Sequence, residues 1–414
     1  MSDSDPLPCS PPADLPPDIL LEIFLHLSSE PRHLLAASLV CKRWRRLVRN
    51  PDFLRRFRAF HRAPPVLGFF QNIWCVTRCS NQHQRRLGFK PTVSSVGRLT
   101  PPNPDLMRWA LDCRHGRVLL QCSGDQGLHV WDPMAGEAHY LRRPPGSQGL
   151  DIAAAVVCAA GHDDHTDCHS TPFQIVFLDA CKRVEDDGDV ARILSAYVYS
   201  SETDAWGDAT VITFPFTFDS SKGSVLVGNS LYWMLELDEL FSSYILEFSL
   251  SGQRLELIEL PDADVCEAYM SDIHVMPAED GGIGFVGVNQ SSLHFWSRRI
   301  DPEGAAEWVL IRIVDLNKLS GLPAADILLF SSVVACSEDG DELFIQSEAG
   351  IFMINIRSLR LKKVLEATGL PIYPYTSFYT REHQRIEERR SEVHFVGVFC
   401  DAGVTYLHRR TIHW

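Results

Sequence analysis

The residues best suited to chemistry lie between 158 and 169: Cys158, His162, Asp163, Asp164, His165, Cys168 and His169. These are metal-ligand types, and structural zinc takes four of them in a tetrahedron. The run has no recognisable zinc-family spacing and lies in a polar insertion. Composition alone is a weak indicator of a metal site, so the reading favours a surface loop and assigns no metal. Carboxylates cluster at Glu185-Asp186-Asp187 and at Glu236, Asp238 and Glu239. General acid–base catalysis needs two carboxylates held in a cleft with split pKa values, whereas acidic runs on loops read as solvated charge. Cys41 stands beside Lys42 and Arg43, which could lower a thiol pKa. A small residue packed in a contact between a helix and a partner is the stronger reading. No G-x-S-x-G elbow, Walker loop or H-E-x-x-H is present. Trp109, Trp131, Trp206, Trp233, Trp296 and Trp308 sit at strand and turn positions, where core packing is the default. No catalytic residue and no cofactor is therefore assigned.

The elements that would position such residues follow from bulk properties and periodicity. The chain has 414 residues, 45% hydrophobic and 22% charged, as in an ordinary soluble protein with more than one domain. Its net charge of −14 makes it a poor generic nucleic-acid binder. The charge is uneven. Residues 32–62 hold ten Lys or Arg and one acid, a net +9, leaving −23 for the rest. A solvated helix face explains that segment first, an acidic protein partner second and nucleic acid last. The −23 elsewhere suits a basic target surface, and solubility explains it equally well. Twelve scattered cysteines without a C-x-x-C, a start lacking an apolar h-region, and no apolar run near the roughly 18 residues a bilayer needs imply a reducing cytoplasmic or nuclear setting. No membrane association is expected.

Residues 1–13 are polar and Pro-rich and read as a disordered lead. Residues 14–62 read as helix. Asp14 can cap, and Pro16 and Pro17 suit a first helical turn. Ile19, Leu20, Ile23, Phe24 and Leu27 form one wide apolar stripe. Ser28 to Pro31 break the helix, Leu34, Leu35 and Leu39 follow, and a third helix carries Trp44, Leu47 and Val48. Asn50-Pro51 ends it, and Phe53, Leu54, Phe57 and Phe60 begin another. About fifty residues bury little on their own, and these helices show more large apolar side chains than they can hide from one another. They must lean on another domain or a partner.

Leu15-Pro16-x-Asp18-Ile19-Leu20-x-Glu22-Ile23-Phe24-x-x-Leu27, then Leu34-Leu35, Ser38 to Arg45, and Pro51-x-Phe53 resemble the F-box in order and spacing. The resemblance implies a three-helix module that binds a Skp-type adaptor and, through it, a cullin–RING scaffold. It assigns the adaptor contact to Leu15, Pro16, Ile19, Leu20, Ile23, Phe24, Leu35, Leu39, Val40, Cys41 and Trp44. Of these, Leu39 and Trp44 are also candidates for holding the helices together.

Residues 64–414 read as β. Five segments share a strand, a short polar residue, a turn and a second strand; the polar residues are Asp132, Ser200, Ser249, Asp301 and Asn355. Such side chains bond the backbone two residues on and fix a reversal. Their intervals are 68, 49, 52 and 54 residues, the first stretched by polar insertions. A repeat near fifty residues with three or four strands is a propeller signature. Six blades are favoured over seven, with strands at 66–70 and 392–408 completing the ring. VWDPMAGE, VVACSEDGDELFI, FMINIRS and Pro374 to Tyr379 resemble the F-box-associated propeller-like domains of plant F-box proteins. The fold expected is thus α+β and multidomain: a three-helix F-box, then an all-β propeller-like domain. The function this implies is a substrate receptor of a Skp–cullin–F-box ubiquitin ligase, not an enzyme, with an unknown protein target. The alternatives are a propeller interaction protein acting outside a cullin ligase and, behind it, a propeller hydrolase.

Overall fold

The computed structural model describes residues 15–378, except 77–82, 94–98, 102–107, 123–126, 148, 150, 161–164, 166–167, 169–170, 185–189, 214–216, 219–221, 237–242, 262–272, 320–329 and 367–370, together with the strands Val396–Asp401 and Val404–Arg409. The lead 1–13, Asp14, His162, Asp163, Asp164, His169, the Glu185–Asp187 run, Asp238 and Glu239 lie outside the described residues, as does the side chain of Glu236. The chain divides into two compact units. One comprises Met1–Pro64 with Phe378–Trp414, and the other Pro65–Ser377.

The first unit has four helices: α1, Pro17–Leu25; α2, Pro31–Val40; α3, Lys42–Val48; and α4, Pro51–His61. Their starts follow from local chemistry. Pro17, Pro31 and Pro51 each occupy a first helical turn, where the missing N–H costs nothing. Asn50 caps α4 by accepting from the Asp52 N–H at 2.8 Å. Cys41 is extended at φ −160° and separates α2 from α3, which accounts for the phase shift in the apolar pattern there. The core gathers Leu20, Phe24, Leu25, Leu34, Ala37, Val48, Phe53, Leu54 and Phe57, and includes Phe378.

The second unit is a six-bladed propeller of antiparallel sheets. The first blade is Arg108–Arg114, Arg117–Cys122, Leu128–Trp131 and Ala138–Leu141. The second is Asp151–Cys158, Phe173–Val184 and Val190–Ser200, edged by Ala205–Trp206 and Thr210–Thr213. In the third, Ser230–Glu236, Ser243–Ser249 and Arg254–Glu259 follow the short inner strands Thr217–Phe218 and Val225–Val227. The fourth runs Ile273–Pro277, Ile283–Asn289, Ser292–Ile300, Ala306–Asp315, and the fifth Phe330–Cys336, Glu342–Ser347, Gly350–Asn355, Arg360–Leu365. The sixth combines both ends of the ring: Ile372–Thr376 is its first strand, followed by Val66–Val76 and His83–Pro91.

Closure differs in part from the sequence expectation. The strand at 66–70 does complete the ring, but its partner is Ile372–Thr376. The strands within 392–408 do not: Val396–Asp401 and Val404–Arg409 pair with each other in a separate sheet. The sheets of the ring thus span Val66–Thr376, where the sequence suggested a β domain of 64–414.

All five turn residues act as their chemistry dictates, each joining the third strand of a blade to the next. Asp132 Oδ1 accepts from the N–H groups of Met134 and Ala135, and Asp301 Oδ1 from those of Glu303 and Ala305. Ser200, Ser249 and Asn355 accept from Glu202, Gly252 and Ser358. The apolar cores lie between blades. One joins Val286, Leu293 and Phe295 of the fourth blade to Leu343, Ile345 and Phe352 of the fifth. Trp233 lies in such a layer, and Trp131 is buried edge-on to Phe70 of the sixth blade.

Candidate functional site

The helical unit exposes a row of large apolar side chains. Along α1, residues four apart fall on one face. Leu20 and Phe24 take the inward face, at 2% and 1% exposure, while Ile19 and Ile23 take the outward one, at 48% and 46%. Leu15 continues the outward row by one turn and is also exposed. At the end of α2, Leu39 is 67% exposed with Val40 and Cys41 beside it, all three on the surface. Arg43, in the first turn of α3, donates from Nη2 to the Leu15 carbonyl at 2.6 Å. That bond ties the start of the α1 row to the segment that follows Val40 and Cys41, so the two groups border one surface.

Seven of the residues assigned to the adaptor contact are therefore exposed: Leu15, Pro16, Ile19, Ile23, Leu39, Val40 and Cys41. Leu35 and Trp44 are half-buried. Two assignments need correction. Leu20 and Phe24 are interior, and Phe24 meets Trp44 edge-on at 5.0 Å and Phe53 at 6.3 Å. They hold the helices together, as does part of Trp44. Leu39, also a candidate for that task, instead stands in solvent. Cys41 Sγ accepts from the Trp44 N–H at 3.5 Å, an N-cap role that its sequence neighbours do not suggest. The basic residues around this surface are largely solvated. Arg56 pairs with Glu22 at 2.7 Å and Arg32 with Glu30 at 2.8 Å, both in the open, where such pairs contribute little.

A second cluster lies where the inner strands of the propeller converge. Asp112 Oδ2 accepts from the Val156 N–H at 2.9 Å and from Arg114 Nη1 at 3.2 Å, and its Oδ1 accepts from Ser224 Oγ at 3.3 Å. Arg114 Nη2 also donates to the Ser224 carbonyl at 2.8 Å. Glu338 accepts from the His115 N–H at 3.0 and 3.1 Å and from Thr376 Oγ1 at 2.6 Å. Burial raises both carboxyls above their ordinary pKa, and Arg114 acts the other way on each. These contacts link the first, second, third, fifth and sixth blades. Each carboxylate oxygen already accepts from a donor, most of them on other blades, so the cluster serves as a polar staple rather than as a split acid–base pair. Sequence reasoning missed it because its hydrogen-bonded partners are up to 223 residues apart. A cleft of about 440 Å³ between the fourth and fifth blades carries Glu279, Asp339, Asp341 and Arg357 on its walls. Asp341 is engaged there by Arg357 at 2.7 Å.

The 158–169 segment joins the first two strands of the second blade. Of its candidate ligands, Cys158, His165 and Cys168 are described. Cys168 is buried, which a loop lying wholly on the surface would not allow. Seven free cysteines are described; Cys41 is exposed, Cys113, Cys122 and Cys168 are buried, and Cys158, Cys181 and Cys336 are intermediate. Among the described residues no helix is long and apolar enough to cross a membrane.

Comparison with known proteins agrees with this division. A family described as F-box-like matches residues 12–60, and one described as F-box protein AT5G49610-like, beta-propeller, matches residues 109–378. The Putative F-box protein At3g21120 of Arabidopsis thaliana is 25% identical over 280 residues, covering 64% of this chain and 70% of that protein. The Putative F-box protein At3g16210, also of Arabidopsis thaliana, is 23% identical over 254 residues, covering 60% and 61%. Among solved structures, the Myceliophteria thermophila Cps50 (Swd1) beta-propeller domain is 11% identical at a TM-score of 0.31, over 69% of this chain and 82% of that one. Porphyromonas gingivalis dipeptidyl peptidase 4 is 10% identical at a TM-score of 0.31, over 73% of this chain and 45% of that one.

Proposed function

We propose that this chain, which belongs to the F-box protein AT5G49610-like beta-propeller family, is the substrate-recognition subunit of a Skp–cullin–F-box ubiquitin ligase. The observation that carries the proposal is the apolar surface formed by Leu15, Ile19, Ile23, Leu39 and Val40 on a helical unit matched as F-box-like. A small domain that keeps five large aliphatic side chains in water stands to gain by covering them, and aliphatic anchors of this kind dominate helix interfaces. The cover is a Skp-type adaptor, which joins the chain to a cullin–RING scaffold.

The propeller then holds the target protein. Catalytic benefit comes from proximity. Tethering turns the encounter between a target lysine and a ubiquitin thioester into an intracomplex event at an effective concentration set by geometry. The chain itself supplies no acid, base, nucleophile or cofactor, binds neither nucleic acid nor membrane, and works in the cytoplasm or nucleus, where its free thiols stay reduced. The test is affinity purification from cells. The wild-type chain should bring down the adaptor and cullin, and the double variant Leu15→Ala with Pro16→Ala should lose both while its propeller stays folded. Recovery of adaptor and cullin undiminished by the double variant would refute the assignment.

A further inference from the structure

We propose that His115, His165 and Cys168 form a binding site for a transition metal of the zinc class, joining the first two blades. One ring nitrogen each of His115 and His165 and the sulfur of Cys168 lie within 4.8 Å of one another. The set is two imidazoles and a thiol, with no carboxylate in it. Such donors suit zinc and its neighbours and not calcium or magnesium.

The sulfur and nitrogen stand at hydrogen-bond contact, a spacing that a bound metal would also impose. In a tetrahedral zinc site, with bonds of about 2.05 Å to nitrogen and about 2.3 Å to sulfur, those two ligand atoms stand about 3.5 Å apart. His165 Nδ1 and Cys168 Sγ are 3.5 Å apart. The two residues are three apart in sequence, so they form a local chelate. Cys168 is fixed from behind. The Cys168 carbonyl accepts from Arg117 Nη2, from the Thr171 N–H at 3.2 Å and from Thr171 Oγ1 at 2.8 Å. Arg117 also donates to the Thr171 carbonyl at 2.6 Å and lies over the Phe173 ring. Its guanidinium is thereby held beside Cys168, where its charge would offset that of a metal-bound thiolate.

His115 comes from a different blade and is held just as firmly. It occupies the two-residue turn between Arg108–Arg114 and Arg117–Cys122, at φ +52°, with Gly116 at +73°. Both central residues have positive φ, as a tight hairpin turn requires. Glu338 takes its N–H, and Glu338 Oε2 stands 3.6 Å from His115 Nε2, while Nδ1 is buried. Cys158 ends the strand that leads into this segment, and its Sγ lies 3.4 Å from Thr171 Oγ1, whose hydroxyl donates to the Cys168 carbonyl. The His115 and His165 rings are stacked at 4.3 Å and 17°.

The site does not depend on the adaptor reading, and its test needs no ligase. Full-length protein is purified under reducing conditions without a polyhistidine tag, and its metal content is measured. Zinc at about one equivalent per chain is expected. The metal-free protein titrated with cobalt(II) should develop thiolate-to-cobalt charge transfer and intense tetrahedral d–d bands. Cys168→Ser and His165→Ala should each abolish both signals, while His33→Ala, in the helical unit, should leave them. On the wild-type chain, zinc should slow alkylation of Cys168 at least tenfold without changing that of Cys41, a readout independent of whether a variant folds. A protein that stays spectrally silent with cobalt, signals that persist in both variants, alkylation unaffected by zinc, or a Cys158–Cys168 disulfide in the reduced preparation would each overturn the proposal.

Discussion

The side-chain amide of Asn72 pairs with the backbone of Ala110 as a neighbouring strand would. Asn72 Nδ2 donates to the Ala110 carbonyl and Asn72 Oδ1 accepts from the Ala110 N–H, both at 2.8 Å and out of contact with water. Asn72 belongs to the middle strand of the sixth blade and Ala110 to the first strand of the first blade. The pair therefore fastens the N-terminal strands of the ring to the blade that follows them. Asn72→Ala strips partners from two buried backbone groups, at about 1–3 kcal/mol each. Denaturant melts of the full chain should show the propeller transition weakened by about 2–4 kcal/mol. A loss within about 0.5 kcal/mol, the range of ordinary surface changes, would contradict this role.

Adjacent residues of α1 should behave in opposite ways. Leu20→Ala and Phe24→Ala leave cavities in the helical core and should each cost about 2–5 kcal/mol, read as loss of protease resistance in residues 15–61. Ile19→Glu and Ile23→Glu put charge on an exposed face. They should leave melting nearly unchanged while weakening adaptor binding at least tenfold.

Mild acid should loosen the helical unit through His61. Its Nε2 lies 3.1 Å from the Leu25 carbonyl, joining the end of α4 to that of α1. Burial holds its pKa below the ordinary 6.5, outweighing the backbone bonds that act the other way. The unfolded chain therefore takes up a proton at a higher pH than the folded one. Stability is full above 6.5 and falls as the pH drops through that value toward the folded pKa. Thermal melts followed by helical circular dichroism at about pH 7 and about pH 5 should show the fall, and His61→Gln should shrink it. Equal melts at both values would exclude the mechanism.

The fourth-blade turn should be a modest contributor. Asp301 Oδ1 holds two N–H groups at an exposed hairpin. Asp301→Ala should cost about 1 kcal/mol, well below the Asn72 variant, because water replaces the lost acceptor. The same pair of melts compares them.

Features fixed by local chemistry were legible in the sequence. The prolines in first turns, the break at Ser28 to Pro31 and the five turn residues each act on backbone within a few positions, so their residue types sufficed. The apolar stripe of α1 was legible as a stripe but not as two faces. Ile19 and Leu20 are equally apolar, and only packing against Phe53 and its neighbours decides which of them is buried. Long-range pairing was not legible either. Ile372–Thr376 closes the ring, in place of the strands nearer the C-terminus, because its register with Val66–Val76 is set across three hundred residues of chain. The placement of His115 beside His165 and Cys168 likewise arises from the stacking of two blades. The 158–169 segment alone shows only some of its partners.

The most direct measurement is calorimetric titration of the purified full-length chain with a purified Skp-type adaptor. Saturable one-to-one binding is expected with a Kd on the order of 1 μM or tighter, with a loss of at least tenfold in the double variant Ile19→Asp with Leu39→Asp, whose melting is unchanged. Absence of binding by the wild-type chain at tens of micromolar, or equal affinity for the double variant, would contradict it.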